Sequence, residues 1–165
     1  MMKKILSILG IIALTLISTT SLIACNTPQE YTSEKLKELK EENKINTKDQ
    51  TIRDNLEWIV PQQKPFITVD NKYYFVVWRG DKNENWKIVK FKHFEQKEKV
   101  LDKYDKYELK TSHFGGDLFI YKNGFVSYDW NKDDGTYFKS VYRWNLDTQE
   151  PNLFIDNVGN VKVNE

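Results

Sequence analysis

Cysteine, glycine and proline are scarce in this sequence of 165 residues. A single cysteine, Cys25, excludes an intramolecular disulfide, so any folded part must be held together by packing. Seven glycines and four prolines exclude a collagen-like or low-complexity chain. Neither sign of charge is in excess, because 25 Lys and Arg residues oppose 24 Asp and Glu residues. The net charge of +1 excludes a strongly basic protein built to bind nucleic acid.

Aromatic residues, in contrast, are abundant. The chain has 5 Trp, 9 Tyr and 9 Phe, which make up 14% of its residues. The apolar fraction is 39%, below the roughly 45–50% of an average globular protein. We therefore expect one domain with a small core, in which aromatic side chains supply much of the buried surface.

The first 25 residues have the three-part pattern of an export signal. Lys3 and Lys4 give a positive start, residues 5–17 are almost entirely apolar, and residues 18–21 are Ser and Thr. In place of a small-x-small cleavage site, the pattern ends in the tetrapeptide Leu22-Ile23-Ala24-Cys25.

This tetrapeptide resembles the lipobox of bacterial lipoproteins. In that family a diacylglycerol is attached to the cysteine thiol, the signal peptide is cut before the cysteine, and the new N-terminus is held in the membrane. The resemblance implies a signal peptide over residues 1–24 and a mature chain anchored through Cys25 at the extracellular face of the cell membrane. Two acyl chains suffice for stable anchoring. The alternative is an uncleaved transmembrane anchor, since residues 5–25 are long enough to cross a bilayer.

Lysine outnumbers arginine 22 to 3, a bias typical of AT-rich genomes. Together with the leader Met-Lys-Lys-Ile-Leu-Ser-Ile-Leu-Gly and the run Lys-Tyr-Tyr-Phe-Val-Val-Trp at residues 72–78, this bias makes the chain similar to the surface lipoproteins of spiroplasmas and related mollicutes. That family implies a compartment and no reaction. Loss of the two leader lysines from 25 basic residues leaves 23 against 24 acidic residues, so the mature chain attracts neither nucleic acid nor anionic lipid by net charge.

Residues 25–57 are polar and are predicted to form a tether with short helices. Residues 33–43 contain good helix formers but two leucines as their only apolar side chains, too few to hold a helix against a core. A second short helix is predicted from three apolar residues at helical spacing: Ile52, Leu56 and Ile59.

Residues 58–165 are predicted to form an all-β domain. Short runs rich in β-branched and aromatic residues alternate with turn signals, of which Asn123-Gly124 is the strongest for a hairpin. The predicted strands are at 66–69, 73–78, 86–91, 100–101, 109–111, 118–121, 125–130, 138–144 and 153–155.

The runs repeat with a period of 52, which predicts two units at about 66–111 and 118–163. Asn71, Trp78 and Asp81, for example, fall on Asn123, Trp130 and Asp133. Each unit resembles a four-stranded propeller blade, but a propeller needs at least four blades. The predicted fold is therefore mainly β, an antiparallel meander of two four-stranded repeats packed as a small sandwich or twisted sheet. The alternative is a sheet completed by a partner chain, and the oligomeric state stays open.

Nothing in the sequence has the pattern of an enzyme, and we expect neither catalysis nor a cofactor. His93 and His113 are not spaced with other ligands as in zinc sites, and both are expected to be surface or loop histidines. The acidic loop at residues 129–135 is a weak candidate for a calcium site, with Asp129, Asn131 and Asp133 as its possible ligands. Residues with side-chain oxygens alternate along this loop as in a calcium-binding loop, but the glycine comes one place late. A hydrolase could draw a pair of carboxylates from Asp117, Asp129 and Asp133, but the sequence does not give the distance between them.

The favoured function is binding or adhesion at the cell surface, to a host-surface protein or a glycan. Aromatic residues on a sheet face or in the Trp-flanked loops would make the contacts. The tripeptide Arg79-Gly80-Asp81 resembles the sequence read by animal integrins, although Gly-Asp is also ordinary turn chemistry. The alternatives are a structural subunit and a surface hydrolase. The candidate binding residues are Trp78, Arg79, Asp81, Trp86, Trp130 and Asp133.

The leader predicts one processing event. Mass spectrometry of the protein from membranes is expected to find a mature chain that begins at Cys25 and carries a diacylglycerol on its sulfur. An unmodified thiol, or a leader still attached, would contradict the predicted localisation.

Overall fold

The computed structural model describes residues 30–112 and 116–164. The predicted leader, the lipobox residues Leu22, Ile23 and Ala24, the lipid-attachment residue Cys25 and the histidine at 113 lie outside the described residues. Within the described ranges, no helix is both long enough and apolar enough to cross a bilayer.

Two helices, ten strands and two short 3-10 turns make up the described chain. The helices are α1 (Ser33–Glu42) and α2 (Gln50–Asn55), and the 3-10 turns are Pro61–Gln63 and Trp130–Lys132. The strands are β1 (Leu56–Ile59), β2 (Tyr73–Trp78), β3 (Lys87–Lys92), β4 (Lys99–Tyr104), β5 (Tyr107–Thr111), β6 (Leu118–Lys122), β7 (Phe125–Asp129), β8 (Phe138–Trp144), β9 (Leu153–Ile155) and β10 (Val161–Val163).

The strands form two open four-stranded sheets and a hairpin. The first sheet has the order β1-β8-β2-β3, the second has the order β4-β5-β6-β7, and β9 pairs with β10. Every pairing is antiparallel. The prediction of a mainly β fold with two four-stranded antiparallel sheets is confirmed.

The 52-residue sequence repeat does not mark the division between the sheets. Strand β2 lies in the first sheet, whereas β7, its counterpart in the second repeat, lies in the second sheet. Strand β8 inserts between β1 and β2 because its apolar side chains, like those of β2, are buried on both faces. The predicted strand at 66–69 is not formed. Phe66 instead fills the core, with its ring 4.9 Å from that of Tyr74.

The predicted second helix is shorter than expected, because α2 ends at Asn55 and the chain continues as strand β1. Leu56 pairs with Trp144 and Ile59 pairs with Val141 in the central strand β8. Tertiary pairing therefore overrides the helical spacing of these apolar residues. The preceding polar segment also packs on the domain, since Ile45 is only 5% exposed.

The first sheet is the middle layer of the domain and has a core on each face. Toward the second sheet it presents Tyr74, Val76 and Trp78, which meet Leu109 and Ile120. Its opposite face lies against the segment that carries α2 and against the β9–β10 hairpin, with a core made of Ile45, Leu56, Phe75, Val77, Tyr142, Trp144 and Val161. Each fully buried aromatic or branched side chain contributes roughly 1.5–3 kcal/mol. The second sheet, in contrast, is covered only on the face that packs against the first sheet.

A half-buried charge network ties the polar segment to the first sheet. Glu57 accepts hydrogen bonds from Arg143 Nη2 (2.7 Å) and Asn145 Nδ2 (3.1 Å) and forms an ion pair with Lys40. Burial acts to raise the pKa of Glu57, but the bonds from Lys40 and Asn145 and the charge of Arg143 hold it below its usual value. The network joins α1 to β1 and β8.

Two tryptophans with the same predicted role differ in burial, and their stability effects are expected to differ accordingly. Trp78→Ala removes a side chain that is 0% exposed and is expected to destabilise the protein by about 3–5 kcal/mol, because it leaves a cavity. Trp86→Ala removes a ring that is only partly buried and is expected to cost at most about 2 kcal/mol. Urea unfolding followed by circular dichroism measures both, and equal losses would contradict this assignment of core and surface.

Candidate binding surface

Two of the predicted binding residues are part of the core. Trp78 is 0% exposed, and its indole Nε1 donates to Asp102 Oδ2 at 3.1 Å. Trp130 is 6% exposed, with its ring 6.1 Å from that of Phe66. Neither ring is available to a ligand without a rearrangement of the core.

Three other predicted residues lie together in the loop between β2 and β3. The Arg79 guanidinium lies 4.2 Å from the centre of the Trp86 ring, and its Nε donates to the Thr136 carbonyl at 2.6 Å. Asp81 accepts the backbone N–H of Asn83 at 3.0 Å. The structure therefore brings Arg79, Asp81 and Trp86 into one loop but engages each of them within the protein.

Glycine at position 159 lets the C-terminal hairpin lie flat against Trp86. A Cβ at Gly159 would come within 2.6 Å of the indole ring, and its φ of +82° is one that L side chains rarely adopt. One face of the indole is thus committed to Gly159, while Lys139 also lies close, with its Nζ 5.5 Å from the ring centre. We read Trp86 as a structural contact between the β2–β3 loop and the C-terminal hairpin.

The acidic loop after β7 turns its carboxylates inward to its own backbone. Asp133 accepts N–H groups from Gly135 (2.9 Å), Tyr137 (3.1 Å) and Phe138 (3.0 Å). Asp129 forms an ion pair with Lys132, and the Asn131 N–H donates to the Asp117 carboxylate. In the described ranges, no group of three His, Cys, Asp or Glu side chains is arranged to hold a metal ion.

His93 differs from the expectation of a surface histidine, because it is only 5% exposed. It follows β3 directly, and its ring packs edge-on against Phe66 at 5.5 Å. Its Nδ1 lies 3.5 Å from Asp70 Oδ1. The Asp70 carboxylate also accepts a hydrogen bond of 2.7 Å from the Tyr74 hydroxyl. The side chain of His93 is thus a core contact.

A polar cleft of about 410 Å³ opens beside the start of β6. At its wall, Asp117 accepts the N–H groups of Leu118 (2.8 Å) and Asn131 (3.1 Å). Burial raises the pKa of Asp117 to about 6, although these two bonds act to lower it. The cleft is lined by Glu30, Pro61, Gln62, Lys64, Gly116, Asp117 and Asn131.

An apolar surface that belongs to neither core lies on the outer face of the second sheet. The burial of β5 and β6 alternates, so every second side chain points away from the first sheet. The strand register brings Val100 and Phe119 on either side of Lys110, and Val126 directly opposite Tyr121. We call Val100, Phe119, Tyr121 and Val126 the outer patch.

A salt-bridged row on β5 runs through the outer patch, between Val100 on β4 and the aromatic residues Phe119 and Tyr121 on β6. The Glu108 carboxylate contacts Lys103 Nζ at 2.6 Å and Lys110 Nζ at 3.1 Å. Lys110 Nζ also lies 4.2 Å from the centre of the Tyr121 ring. Val100 and Val126 remain 47% and 51% exposed. The outer patch thus consists of apolar side chains on β6 and β7 that the ion-paired row on β5 separates from Val100.

Strand β7 is the least protected of the four sheet edges. Edge β1 is in contact with α1 and α2. Edges β3 and β4 carry three and two lysines, which discourage pairing with another chain. The sequence of β7, Phe-Val-Ser-Tyr-Asp, has no lysine, and a bulge at Ser127 is its main interruption. Its first two side chains, Phe125 and Val126, are 78% and 51% exposed.

The turn before β7 fixes which backbone groups are free. Asn123 (φ +51°) and Gly124 (φ +83°) form the two-residue turn predicted for this pair. In such a hairpin the flanking residues Lys122 and Phe125 form a hydrogen-bonded pair, and the next pair does not. The N–H and C=O of Val126 therefore point away from β6, toward any added strand.

The sequence contained a signal for the outer patch that the prediction did not use. Phe119 and Tyr121 alternate with the buried Leu118 and Ile120 along β6, which is the pattern of a sheet with two apolar faces. Phe125 directly follows the strongest hairpin signal. Which of the two apolar faces is covered depends on sheet packing, which spacing alone does not contain.

No protein-family model, curated protein or solved structure matches this chain.

The raised pKa of Asp117 predicts a pH dependence of stability. A carboxyl whose folded pKa lies near 6 binds more protons than the unfolded chain between about pH 4 and pH 6, so its stabilising contribution is lost as pH rises through this window. Relative to Asp117→Asn, the unaltered protein is expected to lose about 2 kcal/mol of unfolding free energy between pH 4 and pH 7. Urea unfolding at four pH values measures the difference.

Asp156 provides the control of opposite sign. Backbone hydrogen bonds, first among them the Asn160 N–H, lower its pKa, so its contribution is present at neutral pH and is lost on acidification. The difference in unfolding free energy between the unaltered protein and Asp156→Asn should therefore shrink as pH falls. If the difference in unfolding free energy between the unaltered protein and Asp117→Asn does not change with pH, the effect assigned to burial is contradicted.

Proposed function

We propose that this chain is a lipid-anchored protein of the extracellular membrane face whose β domain binds a protein partner through β7 and the outer patch. The single observation that carries the proposal is the edge strand β7, which has exposed apolar side chains and no lysine. The localisation rests on the lipobox-like Leu22-Ile23-Ala24-Cys25.

The geometry favours a protein over a glycan as the partner. A sheet edge with outward N–H and C=O groups suits an added strand, which gains affinity from backbone bonds and specificity from side chains on alternate positions. The outer patch continues this edge with aliphatic as well as aromatic groups, Val100 and Val126 beside Tyr121. These aliphatic side chains add hydrophobic contact area for a protein partner.

Phe125, the first residue of the proposed binding edge, lies at the end of β6 remote from the chain's entry point. Tyr31 enters beside the cleft, where its backbone N–H and C=O both bond the Gln62 side-chain amide at 2.8 Å. The cleft wall at Asp117 directly precedes β6. Phe125 pairs with Lys122 at the other end of β6, about 14 Å away for four residues of strand. A domain anchored through Cys25 would then hold Phe125 away from the bilayer.

The same edge favours a second candidate function, a structural subunit whose sheet is completed by another chain. The aromatic and aliphatic exposure of β7 is the feature that supports it. The two candidates differ in affinity and lifetime, because a permanent assembly would keep β7 covered. Sedimentation of the detergent-solubilised full chain separates them, since a monomer is inconsistent with permanent assembly between copies.

The binding proposal predicts a partner contact along β7, which includes Phe125 on the face of the sheet opposite to Val126 and the outer patch. The mature lipoprotein in phosphatidylcholine vesicles is applied to arrays of host extracellular proteins and of glycans. Phe125→Ala is expected to weaken binding to a protein hit about 30-fold, the loss typical of a central interface residue. Phe154→Ala removes a phenylalanine that is 47% exposed on β9 and should leave affinity unchanged.

Three outcomes of this experiment contradict the proposal. Equal losses in both variants would show that exposed aromatic residues act nonspecifically. Binding to glycans alone would replace the protein partner with a carbohydrate. Failure of the full chain to stay with the vesicles would overturn the anchoring.

A further inference from the structure

A second exposed apolar pair lies near the start of β6, away from the β6–β7 turn. Ile67 and Phe94 are 44% and 50% exposed. They lie side by side, because the preceding residues Phe66 and His93 have rings 5.5 Å apart and the Gln96 amide contacts the Ile67 carbonyl. Neither side chain belongs to either core. We call Ile67 and Phe94 the proximal pair.

The proximal pair lies near the point where the chain enters the domain. The Gln62 amide holds the Tyr31 backbone through two bonds of 2.8 Å. The 3-10 turn Pro61–Gln63 and the bond from the Ile67 N–H to the Lys64 carbonyl (3.3 Å) fold the chain back between Gln62 and Ile67. The entry point and the proximal pair therefore share one end of the domain.

The length of the chain before Tyr31 limits how far this end can stand from the bilayer. Tyr31 follows Cys25 by six residues, which span about 22 Å at most even when fully extended. With diacylglycerol on Cys25, the proximal pair is closer to the membrane than the β6–β7 turn. This step rests on the anchoring in the proposed function.

The charges around the proximal pair allow contact with lipid without requiring anionic lipid. The Lys99 ammonium lies 4.7 Å from the centre of the Phe94 ring, and Lys64 is exposed beside the cleft. Glu95 neutralises Lys97 at 2.7 Å. Long lysine side chains beside apolar residues can keep their ammonium groups in the headgroup region while the apolar residues enter the acyl boundary. Apolar contact, rather than net charge, would drive the insertion.

We infer that the proximal pair faces the bilayer and that Ile67 and Phe94 insert into its interfacial region, so that the lipid surface is a second partner of the domain. The contact would direct the β6–β7 turn and Phe125 away from the bilayer. It would add to the lipid anchor a fixed orientation, which the acyl chains alone do not give.

The lone cysteine makes a direct test practicable, because acylation of Cys25 leaves a new cysteine as the sole free thiol. Phe94→Cys and, as a matched control, Phe125→Cys are each labelled with an environment-sensitive fluorophore in the full lipoprotein. Both positions are at least half exposed, so neither change removes a core contact. The proteins are reconstituted in phosphatidylcholine vesicles with or without a doxyl-labelled acyl chain as quencher. Far-ultraviolet circular dichroism checks the fold.

Insertion predicts that doxyl lipid quenches the Phe94→Cys label at least threefold more than the Phe125→Cys label. Replacing a third of the lipid with phosphatidylglycerol should leave this ratio unchanged. Ile67→Cys repeats the measurement from the other member of the pair and stands in if Phe94→Cys misfolds.

The outcomes separate this inference from the proposed function. Vesicle-bound protein with equal quenching at both ends overturns the orientation and leaves the anchoring intact. Protein that does not remain with vesicles overturns both. Quenching at Phe94 that appears only with phosphatidylglycerol would assign the contact to charge and overturn the apolar insertion.

Discussion

Burial of both faces of the first sheet is the constraint on which the rest of the structure depends. Strand β2 is an unbroken apolar run in which Tyr74, Val76 and Trp78 face one core while Phe75 and Val77 face the other. Such a strand is stable only between two covering layers. Without a disulfide in the described ranges, packing on these two faces must offset the conformational entropy of the chain.

This constraint explains why the polar N-terminal segment is part of the domain. The face of the first sheet that carries Phe75 and Val77 needs a cover, and Ile45 with the helical segment supplies part of it. The charge network around Glu57 then fixes α1 beside β1, since Lys40 and Arg143 meet at the same carboxylate. A partly buried ion pair of this kind contributes less to stability than apolar packing does, but it specifies the position of the helix.

Local signals predicted most strands, whereas their partners depended on contacts distant in sequence. Strand β8 and the Asn123-Gly124 turn follow from β-branched runs and turn chemistry. The insertion of β8 beside β1, which turned Leu56–Ile59 from a predicted helix into a strand, has no local signal. The same limit affected the site: Trp78, at the end of a predicted strand, was a predicted binding residue but lies in the core, and the exposure of Phe125 follows from sheet order.

The distribution of exposed apolar groups follows from how far a chain of this length can cover its sheets. The first sheet uses the available layers on both faces, which leaves the outer face of the second sheet to solvent. Lysines on the edge strands β3 and β4 discourage pairing with another chain, and the two helices contact the edge strand β1. Large exposed apolar side chains remain at β7, at the proximal pair, at Val100 and on the C-terminal hairpin at Phe154 and Val158. Since exposed apolar patches of this kind mark interaction sites, the two proposed partners, a bilayer at the proximal pair and a protein at β7, would each cover one of them.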